Sequence, residues 1–146
     1  MKYTILTLAI FVSALSSQAV ETKEELKALV IQVLNEKNWE AYKALTYKNG
    51  MTEYDYEMME SLKSVIIDGR KVISGEVVDL PEDHKTSFVY DGRAFEPTIS
   101  PIGLLKLEQE GGGSTLRYAK DGDQFVLVGT KSEDLGWEGP ADMQLG

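Results

Sequence analysis

Few residues of this sequence combine the side-chain type and the spacing that chemistry requires. Residues 89–97 (VYDGRAFEP) place Tyr90 close to Arg93, and a guanidinium beside a phenol is suited to binding an anionic ligand. The alternative is a turn, in which Arg93 pairs with an acid across a hairpin while Tyr90 and Phe95 pack between the strands. The turn is the favoured interpretation, because exposed charges in hairpins are usually solvated.

One arrangement is suited to acid–base catalysis. Asp79 continues the alternation of Ile73 and Val77, which would place it on the inward face of a strand, where a buried carboxylate becomes a more useful base. Tyr90 or Tyr118 would then act as the hydrogen-bond donor. A shift of one residue in the register would turn Asp79 to solvent instead.

The other polar motifs favour structural explanations. His84 is the only histidine and follows Glu82 and Asp83 in a polar loop, without the spacing of known metal ligands. Residues 121–123 (DGD) are typical of a hairpin turn, since no further calcium ligands follow them. Residues 111–114 (GGGS) match neither a phosphate-binding loop nor a nucleophile elbow. We therefore predict no metal ion and no cofactor.

The composition excludes several classes of function. The sequence has no cysteine, which rules out thiol catalysis and thiolate metal sites. Acidic side chains outnumber basic ones by 24 to 15, and such a surface repels nucleic acid and anionic lipid. Small molecules and envelope proteins remain the candidate partners.

Residues 1–19 have the order of a secretory signal peptide. Lys2 precedes the apolar run TILTLAIFVSAL, and Ser17 and Ala19 are the small residues that precede cleavage between Ala19 and Val20. The apolar run is short for a membrane span. The sequence thus predicts a periplasmic or extracellular protein with no stable membrane anchor after cleavage.

The beginning of the mature chain has a helical pattern. Thr22 and Glu25 have capping-box spacing and precede apolar residues every three or four positions, which predicts a helix over residues 22–36. Asn38 is the expected cap of a second, short helix, and Thr52 opens a third helical segment.

From Arg70 onward, β-branched residues and turns replace the helical pattern. The Asp-Gly pairs at 91–92 and 121–122 predict tight hairpins, and the linkers are too short for crossover helices, so consecutive strands should form an antiparallel meander. Alternate apolar residues should face inward from three of these strands: Leu105, Leu107, Leu116, Tyr118, Phe125 and Leu127. The predicted fold class is α+β, with N-terminal amphipathic helices packed on a β-meander.

This order of elements resembles that of the NTF2-like (cystatin-like α+β) superfamily. The resemblance is carried by residues 34–47 (LNEKNWEAYKALTY), in which a polar turn precedes an aromatic residue at Asn38-Trp39, and by the meander that follows. Many members carry Asp where this chain has Asn38. The resemblance implies a curved sheet that forms a conical pocket with the helices, and such pockets serve isomerases, hydrolases, dehydratases and binding modules alike.

Three functions agree with these observations. We expect one NTF2-like domain over residues 20–130 and an irregular tail over residues 131–146. The favoured function is a non-catalytic binding or interaction module. The alternatives are an NTF2-like enzyme that uses Asp79 with Tyr90 or Tyr118, and a structural domain that associates through Trp137 and the tail.

Overall fold

Four helices and eight strands form residues 20–136, the part of the chain that the computed structural model describes. The helices are α1 (Lys23–Asn35), α2 (Trp39–Ala44), α3 (Glu53–Ser61) and α4 (Lys63–Ile67). The strands are β1 (Thr46–Tyr47), β2 (Val72–Asp79), β3 (Phe88–Tyr90), β4 (Arg93–Pro97), β5 (Gly103–Gln109), β6 (Gly112–Asp121), β7 (Gln124–Val128) and β8 (Thr130–Asp134). The predicted α+β class is confirmed, whereas the predicted signal peptide, including Ala19, and Trp137 lie outside the described residues.

Side-chain caps explain where the helices begin. The Thr22 side chain accepts a hydrogen bond from the Glu25 amide at the start of α1, and the Asn38 side chain caps α2 in the same way. The third helical segment begins after Thr52 as predicted, but it is divided at Leu62 into α3 and α4. None of the helices within residues 20–136 has the length and apolar character needed to cross a membrane.

The larger sheet has five strands in the order β1-β7-β6-β5-β2. Strands β5, β6 and β7 are consecutive antiparallel neighbours, β2 pairs with β5, and the short β1 runs parallel to β7. One face of this sheet packs against α1, where Leu26, Val30 and Leu105 are fully buried. Of the residues predicted to face inward, four are buried and two are partly buried against them: Leu105, Leu107, Tyr118 and Leu127, then Leu116 and Phe125.

The smaller sheet has three strands in the order β3-β4-β8, so the prediction of one continuous meander is wrong. Strands β3 and β4 form the expected hairpin, with positive φ at both Asp91 and Gly92. The prediction of an irregular tail from residue 131 is also wrong for residues 131–134, which belong to β8. The sequence did not indicate this strand, because β8 has no apolar alternation and is held by backbone pairing to β4.

The described chain begins in the core. Val20 is 5% exposed, and its carbonyl oxygen accepts a hydrogen bond of 2.8 Å from the Phe125 amide of β7.

Candidate functional site

Asp79 and Tyr118 lie on one rung of the larger sheet. Asp79 pairs with Gly103 on β5, and Gly103 pairs with Tyr118 on β6. The Tyr118 ring lies over Gly103, because a Cβ at this glycine would overlap the ring and its hydroxyl. Asp79 itself is exposed at the end of β2, so the burial expected for a catalytic base is absent. Tyr90 lies on the smaller sheet and is 56% exposed.

Arg93 binds a hydroxyl group instead of the acid expected across the hairpin. Its Nε and Nη2 atoms donate to Ser132 Oγ of β8, at 3.1 and 3.0 Å. Its guanidinium carbon lies 3.8 Å from the centroid of the Tyr54 ring, which is a cation–π contact. Within residues 20–136, Arg93 makes no direct ion pair. The two Arg93 donors that face Ser132 therefore connect β4 to β8 and stabilise the fold.

The same serine connects Arg93 to a buried carboxylate, Asp55 of α3. Ser132 Oγ donates to Asp55 Oδ1, and the Ser132 amide donates to Oδ2 at 3.1 Å. The Thr52 amide and hydroxyl also donate to Oδ2, at 2.8 and 3.0 Å, completing a capping box. We call Thr52, Tyr54, Asp55, Arg93 and Ser132 the Asp55 cluster. It joins the N-terminus of α3 to the smaller sheet.

Asp55 remains ionised in this environment. Burial raises the pKa of its carboxyl group, but the hydrogen bonds from Ser132 and Thr52 outweigh burial and hold the pKa below its ordinary value. Asp55 is 4% exposed and accepts from four donors. Such a carboxylate is a poor general base, since its protonation would disrupt these hydrogen bonds.

A cavity of about 300 Å³ lies beside the Asp55 cluster. The α3–α4 side of its wall is apolar and consists of Met51, Met58, Met59, Leu62 and Ile66. The opposite side includes Phe88 and Phe95, whose rings stack with centroids 5.0 Å apart, together with Val128. Met58 and Phe88 are 43% and 47% exposed, so the cavity opens to solvent where they lie.

The polar part of the cavity wall is small. It includes Tyr42, Thr46, Asp55 and Thr130, and none of the described residues that line it is Lys, Arg or His. Thr46 Oγ1 donates to the Tyr42 carbonyl oxygen at 3.3 Å. Burial raises the pKa of Tyr42 to about 12, so its hydroxyl stays protonated at neutral pH. The cavity thus combines an apolar wall with one ionised group that is already fully engaged.

A wider groove lies between α2 and α3, but its polar groups bind one another. Glu60 accepts hydrogen bonds from Trp39 Nε1 at 3.0 Å and from Lys43 Nζ at 2.7 Å. Lys43 also pairs with Glu40 at 2.7 Å. These contacts hold α2 against α3. They leave the polar groups of the groove with few free donors or acceptors for a ligand.

His84 lies in the loop after β2, as the sequence predicted. Its Nε2 atom is enclosed and has no hydrogen-bond partner in the described part of the chain. Residues 20–136 contain no group of three or more His, Asp or Glu side chains placed to hold a metal ion.

Sequence reasoning missed Asp55 and Ser132. The spacing of Thr52 and Asp55 is that of a capping box and was a usable signal for the helix start. Nothing in the sequence indicated that Ser132, 77 positions later, contacts the same carboxylate. The sequence did not indicate Tyr42 as a site residue either, because its position in the cavity depends on the tertiary fold.

Comparisons with known proteins do not assign a function, so a functional proposal has to be based on this geometry. No family model matches the sequence, and searches of curated proteins and of solved structures gave no match.

Proposed function

We propose that this chain is an exported, non-catalytic binding module that holds a small apolar molecule in the cavity between α3, α4 and the smaller sheet. The observation that carries the proposal is the cavity itself, with its methionine and phenylalanine wall. Its volume lies near the lower end of the range for small-molecule sites, roughly 300–1,000 Å³. Methionine side chains are flexible and polarizable, so this wall can adapt to ligands of differing shape.

Binding is favoured over catalysis by the state of the nearby acids. The Asp55 carboxylate accepts from four donors and has a lowered pKa, so it has little capacity to take a proton from a substrate. Asp79 is exposed and does not line the cavity. The enzyme hypothesis thus lacks a base at the place where a ligand would bind.

The fold arrangement is part of the proposal. We infer an NTF2-like arrangement, in which helices cover one face of a curved sheet and a pocket lies between them. Supporting contacts are those of α1 with the larger sheet and the position of the cavity between helices and strands. Export is supported by the order of Lys2, the apolar run and Ala19, and by the burial of Val20 at the expected mature start.

Binding calorimetry with matched variants tests the proposal. Thr130 and Thr115 are both exposed strand residues, but only Thr130 lines the cavity. Thr130→Phe should partly fill the cavity and weaken the binding of acetophenone and α-methylstyrene by about tenfold or more, whereas Thr115→Phe should bind as the unaltered protein does. Lack of binding by the unaltered protein, or equal binding by Thr130→Phe, would contradict the proposal.

A further inference from the structure

Tyr42 lines the cavity, and its hydroxyl group has no hydrogen-bond partner within residues 20–136. Tyr42 is 6% exposed, and its ring stacks on Trp39 with centroids 5.6 Å apart. Among residues 20–136, no hydrogen bond to its hydroxyl oxygen is found, and burial is the cause of its raised pKa. The oxygen is not sealed in protein, because His84 Nε2 is the only side-chain nitrogen or oxygen atom in the described chain that is both fully enclosed and unpartnered.

Tyrosine hydroxyl groups that become buried usually find an acceptor, so a ligand that covered the Tyr42 hydroxyl without accepting from it would bind at a cost. The other polar side chains of the wall differ from Tyr42 in this respect. Thr46 donates to a carbonyl oxygen, Asp55 is engaged by Thr52 and Ser132, and Thr130 is exposed. Tyr42 is thus the lining residue whose hydroxyl donor has no partner within residues 20–136, and a ligand in this cavity could accept from it.

We propose that the Tyr42 hydroxyl donates a hydrogen bond to the ligand, and that the ligand is a small uncharged molecule with an apolar body and one acceptor oxygen, such as a ketone or an aldehyde. This inference rests on the proposed function, since it assigns the chemical class of ligand to the same cavity. The hydroxyl supplies orientation, whereas the methionine and phenylalanine side chains supply the apolar contact.

The charges around the cavity select against ionic ligands. An anion in the cavity would be repelled by the Asp55 carboxylate. Among the described lining residues it would find no cation to pair with. A cation would lose its hydration without gaining a free carboxylate, because Asp55 already accepts from Thr52 and Ser132. A neutral acceptor oxygen avoids both costs.

Two isosteric probes test the role of Tyr42. Acetophenone and α-methylstyrene have nearly the same shape, but only acetophenone carries an acceptor oxygen. Tyr42→Phe should weaken acetophenone binding by about tenfold and change α-methylstyrene binding by less than about twofold. The variant should fold normally, since it removes a hydroxyl that has no partner. Tyr118→Phe is the matched control, because Tyr118 is 3% exposed, has no hydrogen bond to its hydroxyl in the described chain, and does not line the cavity.

Infrared spectroscopy gives a second readout that a merely structural role would not change. The carbonyl stretch of bound acetophenone should lie at lower frequency in the unaltered protein and in Tyr118→Phe than in Tyr42→Phe. Equal binding of both probes, with no effect of Tyr42→Phe, would overturn the inference and leave the proposed function standing. Tighter binding of benzoate or phenethylamine than of acetophenone would also overturn it. If neither probe bound, the proposed function and the inference would fail together.

Discussion

Asp55 shows how a single side chain can join distant parts of this chain. Its carboxylate caps α3 through Thr52 and reaches β8 through both the amide and the hydroxyl group of Ser132. Ser132 in turn accepts from Arg93, so a hydroxyl group lies between the guanidinium and the carboxylate. The position of α3, and therefore of one wall of the cavity, depends on these contacts.

Replacing this carboxylate should destabilise the protein. Asp55→Asn puts an amide donor where oxygen now accepts from N–H and O–H groups, so we expect the free energy of unfolding to fall by about 3 kcal/mol. Urea denaturation followed by circular dichroism measures the change. Asp83→Asn, at an exposed loop position, serves as the control and should leave the unfolding midpoint unchanged. A similar midpoint for Asp55→Asn and the control would show that the cluster contributes little.

The same carboxylate should make stability depend on pH. Its pKa is lowered in the folded protein, so folding favours the ionised form, and the stabilisation is complete above the ordinary aspartate pKa of about 3.9. It is lost as the pH falls below that value through the folded-state pKa. Unfolding free energies measured from pH 6 down to pH 2.5 should therefore decline less steeply in Asp55→Asn than in the unaltered protein. Parallel pH profiles would contradict this assignment.

At the scale of elements, the helices were more predictable than the sheet pairing. Thr22, Asn38 and Thr52 are local signals, and each caps the helix that the sequence placed after it. The Asp91-Gly92 turn was equally local. By contrast, β8 pairs with a strand more than thirty positions away and carries no apolar alternation, so its side chains gave no sign of it. The resemblance implied a pocket, but the position of this cavity could not be predicted, since it depends on the division into two sheets.

The contact between β5 and β6 at Gly103 allows a test at this scale. A methyl group at Gly103 would overlap the Tyr118 ring, which is buried against the larger sheet. Gly103→Ala should therefore lower the free energy of unfolding by about 2 kcal/mol or more in thermal or chemical denaturation. Gly112→Ala on β6 meets no atom within 4 Å and should change it by less than about 0.5 kcal/mol. Equal stability of the two variants would show that Tyr118 can move aside at little cost.

At the scale of the whole molecule, helices and strands of both sheets contribute residues to the wall of one cavity. The excess of acidic side chains disfavours nucleic acid and anionic lipid as partners, and the wall of the cavity is mainly apolar. Export stays a prediction from the leader pattern, because residues 1–19 lie outside the described part of the chain. The lining of the cavity was not predictable, because Tyr42, the methionines and Phe95 come together only after the chain has folded.

Methionine methyl NMR tests the central claim most directly. The methionine methyl carbons are labelled with ¹³C, and the signals of Met51, Met58 and Met59 are assigned with single Met→Leu variants. Acetophenone is then titrated into the labelled protein. We predict saturable shifts of these three signals with one common Kd, which is unchanged in Thr115→Phe and higher by about tenfold or more in Thr130→Phe. Shifts that do not saturate, or that persist unchanged in Thr130→Phe, would show that the cavity is not a binding site.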